Sequence, residues 1–286
     1  MGNKIVKRKK FLQSMHHYQR PIYGVDFSGA ANAGKRIWIS SGVSCHGILY
    51  IKNCQQAETL LDSGNKRNKC MAALRDFIQQ EPACVFGFDF PFGLPRNLIK
   101  EYNSWKSFVL SFPRRYSSAE EFRKSLYTVA GKTERKRITD KERKTPFSPY
   151  NLRLYRQTYF GILEILAPLV KNRTVCVLPM QKAWPQKTWL LEVCPASTLK
   201  QGDMYLCYKG HTKSHFRARI SILKWVEEVY KVSLPKTIRS TVLEDPYGDA
   251  LDSLIAASAT HRTLRNHTLV PSPDNSTYLL EGYVYV

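Results

Sequence analysis

The pattern of apolar positions near the amino-terminal end predicts three consecutive strands. Residues 22–25 form a short apolar run that enters a Ser-Gly-Ala turn, and residues 36–43 and 47–51 form two further runs of strand length. Because consecutive strands usually lie next to each other in a sheet, we expect a three-stranded meander.

The next segment predicts a helical region followed by a buried strand. Apolar side chains in residues 57–80 recur at helical spacing, with an interruption at Gly64. Residues 83–88 are apolar without alternation, which is typical of a central strand covered on both faces. This strand should end at Asp89, because two prolines and a glycine in residues 90–95 prevent further strand or helix.

Helical and strand patterns alternate in the second half of the chain. We expect helices over residues 149–170, 214–230 and 245–262, with a strand at residues 189–193. The first and last of these helices each follow a capping residue and a proline, in the dipeptides Ser-Pro and Asp-Pro.

This order of elements predicts an α/β fold with one domain over residues 21–286. No internal repeat or linker divides the chain, and strands alternate with helices. Residues 132–144 stand out because they hold seven Lys or Arg against three acids. We therefore expect a mixed sheet with helices on both faces and a basic insertion or lid at about residues 100–149.

Residues 1–20 carry six Lys or Arg and no acid, and no long apolar stretch follows them. A secretory signal would need that apolar stretch, so a basic amino-terminal arm is the expectation, with a transit peptide as the alternative. The chain also lacks the roughly 18 uninterrupted apolar residues of a membrane span. Its seven cysteines form no CxxC pair, which favours a reducing, cytoplasmic compartment.

Composition adds a strong charge signal. The 286 residues carry a formal net charge of +21 at pH 7, and 43% of them are hydrophobic, enough to bury a core. A basic protein gains from neutralising the phosphates of a polyanion, so nucleic acid is the expected partner. Solubility and anionic lipids are the alternative explanations of the charge.

Two aspartates stand at the ends of apolar strands. Asp26 follows Gly24 and precedes a run of small residues, which leaves its carboxylate open to a ligand, and Asp89 repeats the pattern at the end of the later strand. An aspartate in this position also commonly bonds the backbone of its own turn. The repeat within one chain favours a shared site.

Three further acids lie in apolar surroundings. Glu192 lies within an apolar strand, where burying a charge costs several kcal/mol unless a salt bridge or a metal compensates it. Asp249 and Asp252 are three residues apart and share one face of the last long helix. The helix macrodipole would favour acids there, and it explains Asp249 better than Asp252.

Carboxylates that converge from different elements are the ligands that Mg²⁺ prefers, usually together with substrate phosphate. The sequence therefore predicts a divalent-metal site, with ligands among Asp26, Asp89, Glu192, Asp249 and Asp252.

Several ordered motifs together resemble the domain-of-unknown-function family 429. They are Gly-Val-Asp-Phe-Ser-Gly-Ala (24–30), Gly-Phe-Asp-Phe-Pro-Phe-Gly-Leu-Pro (87–95), Leu-Glu-Val-Cys-Pro-Ala (191–196), Gly-Asp-Ala-Leu-Asp-Ser-Leu-Ile-Ala-Ala (248–257) and the closing Glu-Gly-Tyr (281–283). That family is regarded as predicted nucleases of RNase H-like fold, so the resemblance implies this fold and this activity.

The resemblance also implies roles for single residues. In the RNase H-like superfamily, Mg²⁺ or Mn²⁺ is ligated by a first-strand Asp, a fourth-strand acid and an Asp of the final helix. The resemblance implies that the corresponding residues here are Asp26, Asp89 and Asp249 with Asp252. Glu192 matches the fifth-strand Glu of the family. The chain departs from the family at Cys194, where many members have His, and over residues 100–149.

The first functional hypothesis is a metal-dependent nuclease that hydrolyses phosphodiester bonds. Five acids would form its catalytic set: Asp26, Asp89, Glu192, Asp249 and Asp252. Arg137, which lies in an Arg-Ile-Thr-Asp stretch similar to one in the family, and Arg153 would position the substrate backbone. The alternatives are a non-catalytic nucleic-acid-binding protein and a nucleotide phosphotransferase of the sugar-kinase or actin-like type.

Overall fold

The computed structural model describes residues 20–81, 83–265 and 276–286. The predicted basic arm, residues 1–20, therefore lies outside the described residues except for Arg20. None of the described helices is long and apolar enough to cross a membrane.

The strands of the described residues form one sheet, in the order β5-β6-β4-β1-β2-β3-β7, and β8 pairs with the end of β6. The strands are β1 (Pro21–Asp26), β2 (Trp38–Cys45), β3 (Ile48–Gln56), β4 (Val85–Phe88), β5 (Val175–Leu178), β6 (Thr188–Val193), β7 (Val232–Ser233) and β8 (Val284–Tyr285).

The topology of this sheet is RNase H-like. The strands β1, β2 and β3 form an antiparallel meander, whereas β4 pairs with β1 in parallel and β6 pairs with β4 in parallel. The predicted meander and the predicted central position of β4 are both confirmed. The carboxyl ends of β1, β4 and β6 consequently meet at one edge of the sheet.

Helices cover both faces of the sheet, as predicted. They are α1 (Ala33–Arg36), α2 (Arg67–Gln80), α3 (Trp105–Arg115), α4 (Ala119–Val129), α5 (Ile138–Glu142), α6 (Tyr155–Phe160), α7 (Ala167–Asn172), α8 (Pro195–Gln201), α9 (Lys213–Val229), α10 (Lys236–Glu244), α11 (Asp249–Arg265) and α12 (Ser276–Glu281). A π-helical segment, Gly161–Leu166, joins α6 to α7.

Alternation along the central strands separates two hydrophobic cores. Tyr23 and Val25 of β1 point into the larger core, together with Phe86 and Phe88 of β4. The Tyr23 and Phe86 rings stack there, with centroids 4.3 Å apart. On the opposite face, Ile22 packs against the smaller core, which α9, α10 and α11 help to form.

The basic segment at residues 100–149 contributes to the larger core. Trp105, Phe108 and Phe112 of α3 and Phe122 of α4 are fully buried in it. Apolar residues at helical spacing drive this packing even though the segment carries many cations. Its origin as an insertion stays a prediction, but α3 and α4 are packed elements rather than a loose cover.

Two predicted helix starts are wrong by several residues. The helix expected after Ser148 begins at Tyr155, and the helix expected from Asp245 begins at Asp249. Asp245 still acts on the later helix, because its Oδ2 accepts the Ala250 N–H at 2.9 Å. Its carboxylate thus reaches the first turn of α11 from outside the helix.

Candidate functional site

Two glycines paired across β1 and β4 bring the last long helix onto the sheet. Gly24 and Gly87 are in register on these neighbouring strands. A Cβ on Gly24 would lie 2.1 Å from the backbone nitrogen of Ala257, and a Cβ on Gly87 would lie 1.9 Å from Oγ1 of Thr260. Only glycine at both positions permits this approach of α11.

The same two glycines orient the strand-end acids. Side chains two residues apart on a strand share one face, so Asp26 and Asp89 point toward the face that α11 covers. The Asp89 N–H donates to the Val25 carbonyl at 3.0 Å, which sets the two strand ends side by side. The first turn of α11 adds Asp249 and Asp252 at this place, as the sequence predicts.

These four carboxylates lie largely out of solvent. Asp26 is 9% exposed, Asp249 6% and Asp252 4%, and Asp89 is half-buried. Acids so seldom lie in the interior without partners that each one requires a compensating charge.

The side chain of Lys209 supplies part of that compensation. Its Nζ lies 2.7 Å from Oδ2 of Asp252 and 3.7 Å from Oδ1 of Asp249. Arg36 approaches Asp249 from the other side, with 3.3 Å between Nη2 and Oδ2. The Tyr208 hydroxyl donates to Oδ1 of Asp252 at 2.6 Å. Cations and a phenol of the chain itself therefore hold the α11 carboxylates.

Burial and mutual repulsion disfavour the charged form of the strand-end acids. Burial, followed by the charge of Asp252, raises the pKa of Asp26 well above its ordinary value. The same two causes raise the pKa of Asp89 to about 8. Burial also raises the pKa of Asp249, although Lys209 and Arg36 oppose the rise. The cluster therefore favours the protonated, neutral form of Asp26 and Asp89.

Lys209 responds in the opposite sense. Burial works against its ammonium, but Asp252, Asp26 and Asp249 together raise the pKa of Lys209 above its ordinary value. Lys209 also lowers the pKa of Asp89. One ammonium therefore acts on all four carboxylates, in the role that a bound cation would have.

The donor chemistry of this carboxylate cluster fits a hard divalent cation, since its oxygens come from three elements and repel one another. Its present arrangement is not yet a ligand set, because within residues 20–81, 83–265 and 276–286 no group of three or more His, Cys, Asp or Glu is placed to hold a metal ion. Metal ligation therefore stays a prediction.

Glu192 is bonded differently from the other four acids, although its charge contributes to the raised pKa of Asp89. It shares a face of β6 with Leu190, which packs into the larger core, whereas Leu191 and Val193 face the opposite side. Its Oε2 accepts the Phe92 N–H at 2.9 Å and the Nη1 donor of Arg137 at 2.8 Å. The salt bridge, the alternative weighed for Glu192, is what the structure shows.

Arg137 is equally committed. It is 1% exposed, and its guanidinium donates to Glu192 and, through Nε and Nη2, to Asp140 at 3.0 and 2.8 Å. Burial opposes the charged guanidinium, but Asp140 and Glu192 raise the pKa of Arg137 well above its ordinary value. The expectation that Arg137 contacts a substrate phosphate is corrected here, because no face of its guanidinium is left for one.

The carboxyl-terminal Glu-Gly-Tyr motif belongs to the same buried network. The Glu281 carboxylate accepts the N–H groups of Arg96 and Ile138 at 2.6 and 2.8 Å. Gly282 has a φ of +89°, and a Cβ there would lie 3.2 Å from Nη1 of Arg137. The motifs that carry the family resemblance thus divide into the carboxylate cluster and this Arg137 network.

A cavity of about 240 Å³ gives access to part of the carboxylate cluster. Asp89, Asp252 and Lys209 line it, with Arg153 and Cys194 on its walls. Arg153 is exposed, and its guanidinium lies 5.6 Å from the ring centroid of Phe147. Arg153 thus lines the cavity that reaches the acids, and its role as a substrate-backbone contact stays a prediction.

Cys194 stands where many members of the resembled family have histidine. Burial, followed by the charge of Asp89, raises the pKa of its thiol to about 12. The thiol is therefore neutral at physiological pH and cannot replace an ionisable imidazole.

Sequence reasoning missed Lys209, Tyr208 and Arg36. Lys209 and Tyr208 lie between α8 and α9 in a segment with no motif or periodic pattern, so only the folded chain brings them to the acids. Comparisons with protein-family models, curated proteins and solved structures found no match. The resemblance to family 429 therefore stays a prediction.

Proposed function

We propose that this protein is a divalent-metal-dependent nuclease that hydrolyses phosphodiester bonds of nucleic acid. The observation that supports it most is the carboxylate cluster itself. Asp26, Asp89 and the pair Asp249 and Asp252 come from β1, β4 and α11, and their charges repel one another in buried surroundings. A fold gains no stability from such a cluster, so a functional role is its better explanation.

The four aspartates would hold Mg²⁺ or Mn²⁺. When bound, the ion would activate a water molecule and neutralise charge on the phosphate oxygens. Lys209, which pairs with Asp252 and Asp249, would compete with the ion for these carboxylates. Arg153, on the wall of the same cavity, would contact a phosphate.

Glu192 would act as a positioning residue in this scheme. It fixes the segment after β4 through the Phe92 N–H, and it is held in turn by Arg137. Asp89 is the first residue of that segment. Rigid support of this kind keeps ligands within the narrow limits that chemistry requires.

Substrate and location follow from the whole chain. The net charge of +21 favours a polyanionic substrate. Seven scattered cysteines without a CxxC pair favour a reducing, cytoplasmic location. The RNase H-like topology and the ordered motifs of family 429 support the same assignment.

Replacement of Asp26 by asparagine tests this proposal. In the presence of Mn²⁺ we expect the wild type to cleave single-stranded or duplex DNA or RNA, and D26N to lose at least about 100-fold of that rate. A loss of this size is about 2.7 kcal/mol of transition-state stabilisation. Gel-based cleavage assays with circular dichroism as the folding control measure both quantities.

A matched control is D76N, which removes an exposed carboxylate on α2. D76N should cleave as the wild type does. Equal cleavage by D26N and D76N would remove Asp26 from the mechanism.

A non-catalytic nucleic-acid-binding protein is the second candidate. The observation that favours it is the pairing of Asp249 and Asp252 with Arg36 and Lys209, which partly neutralises the cluster without a metal. This candidate prevails if nucleic acid binds while Mn²⁺ neither raises the melting temperature nor permits cleavage of any DNA or RNA form.

A further inference from the structure

A second and larger cavity, of about 1560 Å³, lies away from the carboxylate cluster. It opens between α3, α5 and α12, and its lining is rich in cations: Arg96, Lys100, Lys106, Arg135, Lys136 and Lys141. Two acids, Glu134 and Glu281, accompany these six cations in the lining. We refer to this site as the basic cavity.

The two acids of the basic cavity already accept hydrogen bonds from other groups of the chain. Both Glu281 oxygens accept backbone N–H groups, and Oε2 of Glu134 accepts the Asn151 amide at 2.7 Å. Neither acid forms an ion pair with a lining cation within the described part of the chain. Six cations against two acids leave the lining with a net positive charge.

Four of the cations are also free to meet a ligand. Arg96, Lys100, Lys106 and Lys141 are exposed, and among the described residues none of them forms an ion pair. Arg135 and Lys136 differ, because they donate to the carbonyls of Ala130 and Thr145. A cluster of unpaired cations in a concave surface concentrates positive potential and attracts anions.

The first turn of α3 strengthens this preference. Ser104 caps the helix and accepts the Ser107 N–H at 3.1 Å, and Lys106 occupies the second helical position. A cation there lies unfavourably at the positive end of the helix macrodipole. An anion bound in the basic cavity would be attracted by both the lysine and the positive end of the helix dipole.

The size of the basic cavity favours a polymer over a small anion. Its volume of about 1560 Å³ exceeds the roughly 300–1000 Å³ of ordinary small-molecule pockets. Short polyphosphates would occupy only part of it. Spaced phosphates along a chain would match the spread of its cations.

The short helix α5 stands between the basic cavity and the cavity of the carboxylate cluster. Ile138 and Lys141 line the basic cavity, whereas Arg137 and Asp140 line the other one. The buried pairing of Arg137 with Glu192 holds this wall in place. A strand that leaves the basic cavity across α5 would therefore meet Asp89, Asp252 and Arg153.

We propose that the basic cavity holds the phosphate backbone of a nucleic acid strand and feeds that strand across α5 to the carboxylates. The inference rests on the proposed nuclease function for the identity of its ligand, but it concerns binding and not cleavage. Lys100, Lys106, Lys141 and Arg96 are the backbone contacts.

The test measures binding in EDTA, where metal-dependent cleavage is switched off. Fluorescein-labelled 20-nucleotide single-stranded DNA and RNA are titrated with the wild type, with K100E/K106E and with the matched control K52E/K69E. The control pair is exposed, carries the same change of charge and lies outside the lining of the basic cavity. Fluorescence anisotropy between 50 and 200 mM KCl gives the affinity and its salt dependence.

We expect K100E/K106E to bind at least about tenfold more weakly than K52E/K69E. Loss of two phosphate contacts should also reduce the slope of log affinity against log salt by about 1.4, at roughly 0.7 for each contact on a single strand. The milder K100Q/K106Q pair should lie between the wild type and K100E/K106E, and it serves if the charge reversal prevents folding.

Equal affinities of the cavity and control variants overturn the inference, and so does a wild type that binds neither probe. Binding to vesicles of phosphatidylserine is measured in parallel. If K100E/K106E loses binding to the vesicles while its DNA and RNA binding is unchanged, the inference is overturned in favour of a membrane surface. If K100E/K106E loses binding while the wild type never cleaves with Mn²⁺, the strand site stands and the nuclease proposal falls. If cleavage occurs and the cavity variant still binds, only the strand site falls.

Discussion

Among single residues, Lys209 has the most direct effect on the carboxylate cluster. It is a cation of the chain placed among the acids that we propose as metal ligands. A side chain in this position stabilises the metal-free protein and competes with the metal for the same carboxylates. The balance between the two is open to direct measurement.

Replacing Lys209 by methionine should raise the affinity for Mn²⁺ by about tenfold or more, which corresponds to about 1.4 kcal/mol. The substitution keeps much of the aliphatic stem and removes the competing charge. Calorimetric titration measures the affinity, and K224M, on the exposed side of α9, is the control. Unchanged or weaker Mn²⁺ binding by K209M would mean that Lys209 does not occupy the place of the cation.

Asp89 makes a second prediction, in the metal-free protein. Its pKa of about 8 in the folded state lies well above the roughly 3.9 of an unfolded chain, so between these values only the folded state holds the proton. Stability must therefore fall as pH rises through this window. Metal binding must strengthen over the same window, because the proton has to leave.

Urea unfolding at pH 5 and pH 8 checks the sign. Relative to D89N, the wild type should lose roughly 3–4 kcal/mol of unfolding free energy between these two pH values, since each of the three pH units below a pKa of about 8 is worth about 1.4 kcal/mol. Equal pH dependence of the wild type and D89N would show that Asp89 titrates at its ordinary value.

Much of the carboxylate cluster was predictable from single residues. Asp26 and Asp89 were recognisable because apolar runs stop at them, and Asp249 and Asp252 because their spacing places them on one helix face. Glu192 was ambiguous until the register of β6 directed it toward Arg137. Lys209 was unpredictable, because its segment has no periodic pattern and tertiary contacts alone bring it to Asp252.

At the scale of elements, the paired glycines of β1 and β4 determine where α11 lies. They let its backbone approach the sheet so closely that its first turn reaches the strand ends. Each glycine precedes an aspartate by two residues. The Gly-x-Asp repeat is thus one device, in which the glycine admits the helix and the aspartate faces it.

Gly24→Ala tests this device. The added methyl group meets the backbone of α11 at 2.1 Å, so the helix must shift. We expect a loss of about 1–3 kcal/mol in unfolding free energy from overpacking, and weaker Mn²⁺ binding as Asp249 and Asp252 move away. Chemical denaturation and calorimetric titration measure the two effects.

The control for this change is Gly131→Ala. Gly131 has a φ of +74°, so alanine is strained there too, but no described atom lies within 4 Å of the added Cβ. G131A should lose stability and keep its metal affinity. If G24A also keeps its metal affinity, the position of α11 does not govern the site.

Helix starts and the basic segment show where element prediction failed. Ser148 and Asp245 looked like caps, but each is separated from its helix by several residues of turn. In residues 100–149 the many cations obscured the apolar spacing of Trp105, Phe108 and Phe112, which packs α3 into the core. Sequence alone did not reveal which cations surround a cavity.

At the scale of the whole molecule, charge is divided between two places. The chain carries 44 Lys and Arg against 23 Asp and Glu, yet four of those acids meet at one edge of the sheet. In the proposed nuclease, the overall positive charge would attract a polyanion and the acids would bind the divalent cation. The basic cavity holds a group of the cations, and the carboxylate cluster holds the four acids.

Calorimetric titration of the metal-free protein with Mn²⁺ at pH 8 tests whether the carboxylate cluster binds a divalent metal. We expect the wild type and D76N to bind one or two ions saturably, and D26N to bind with an affinity at least about tenfold weaker. Absence of saturable binding to the wild type, or equal binding by D26N, would contradict this expectation.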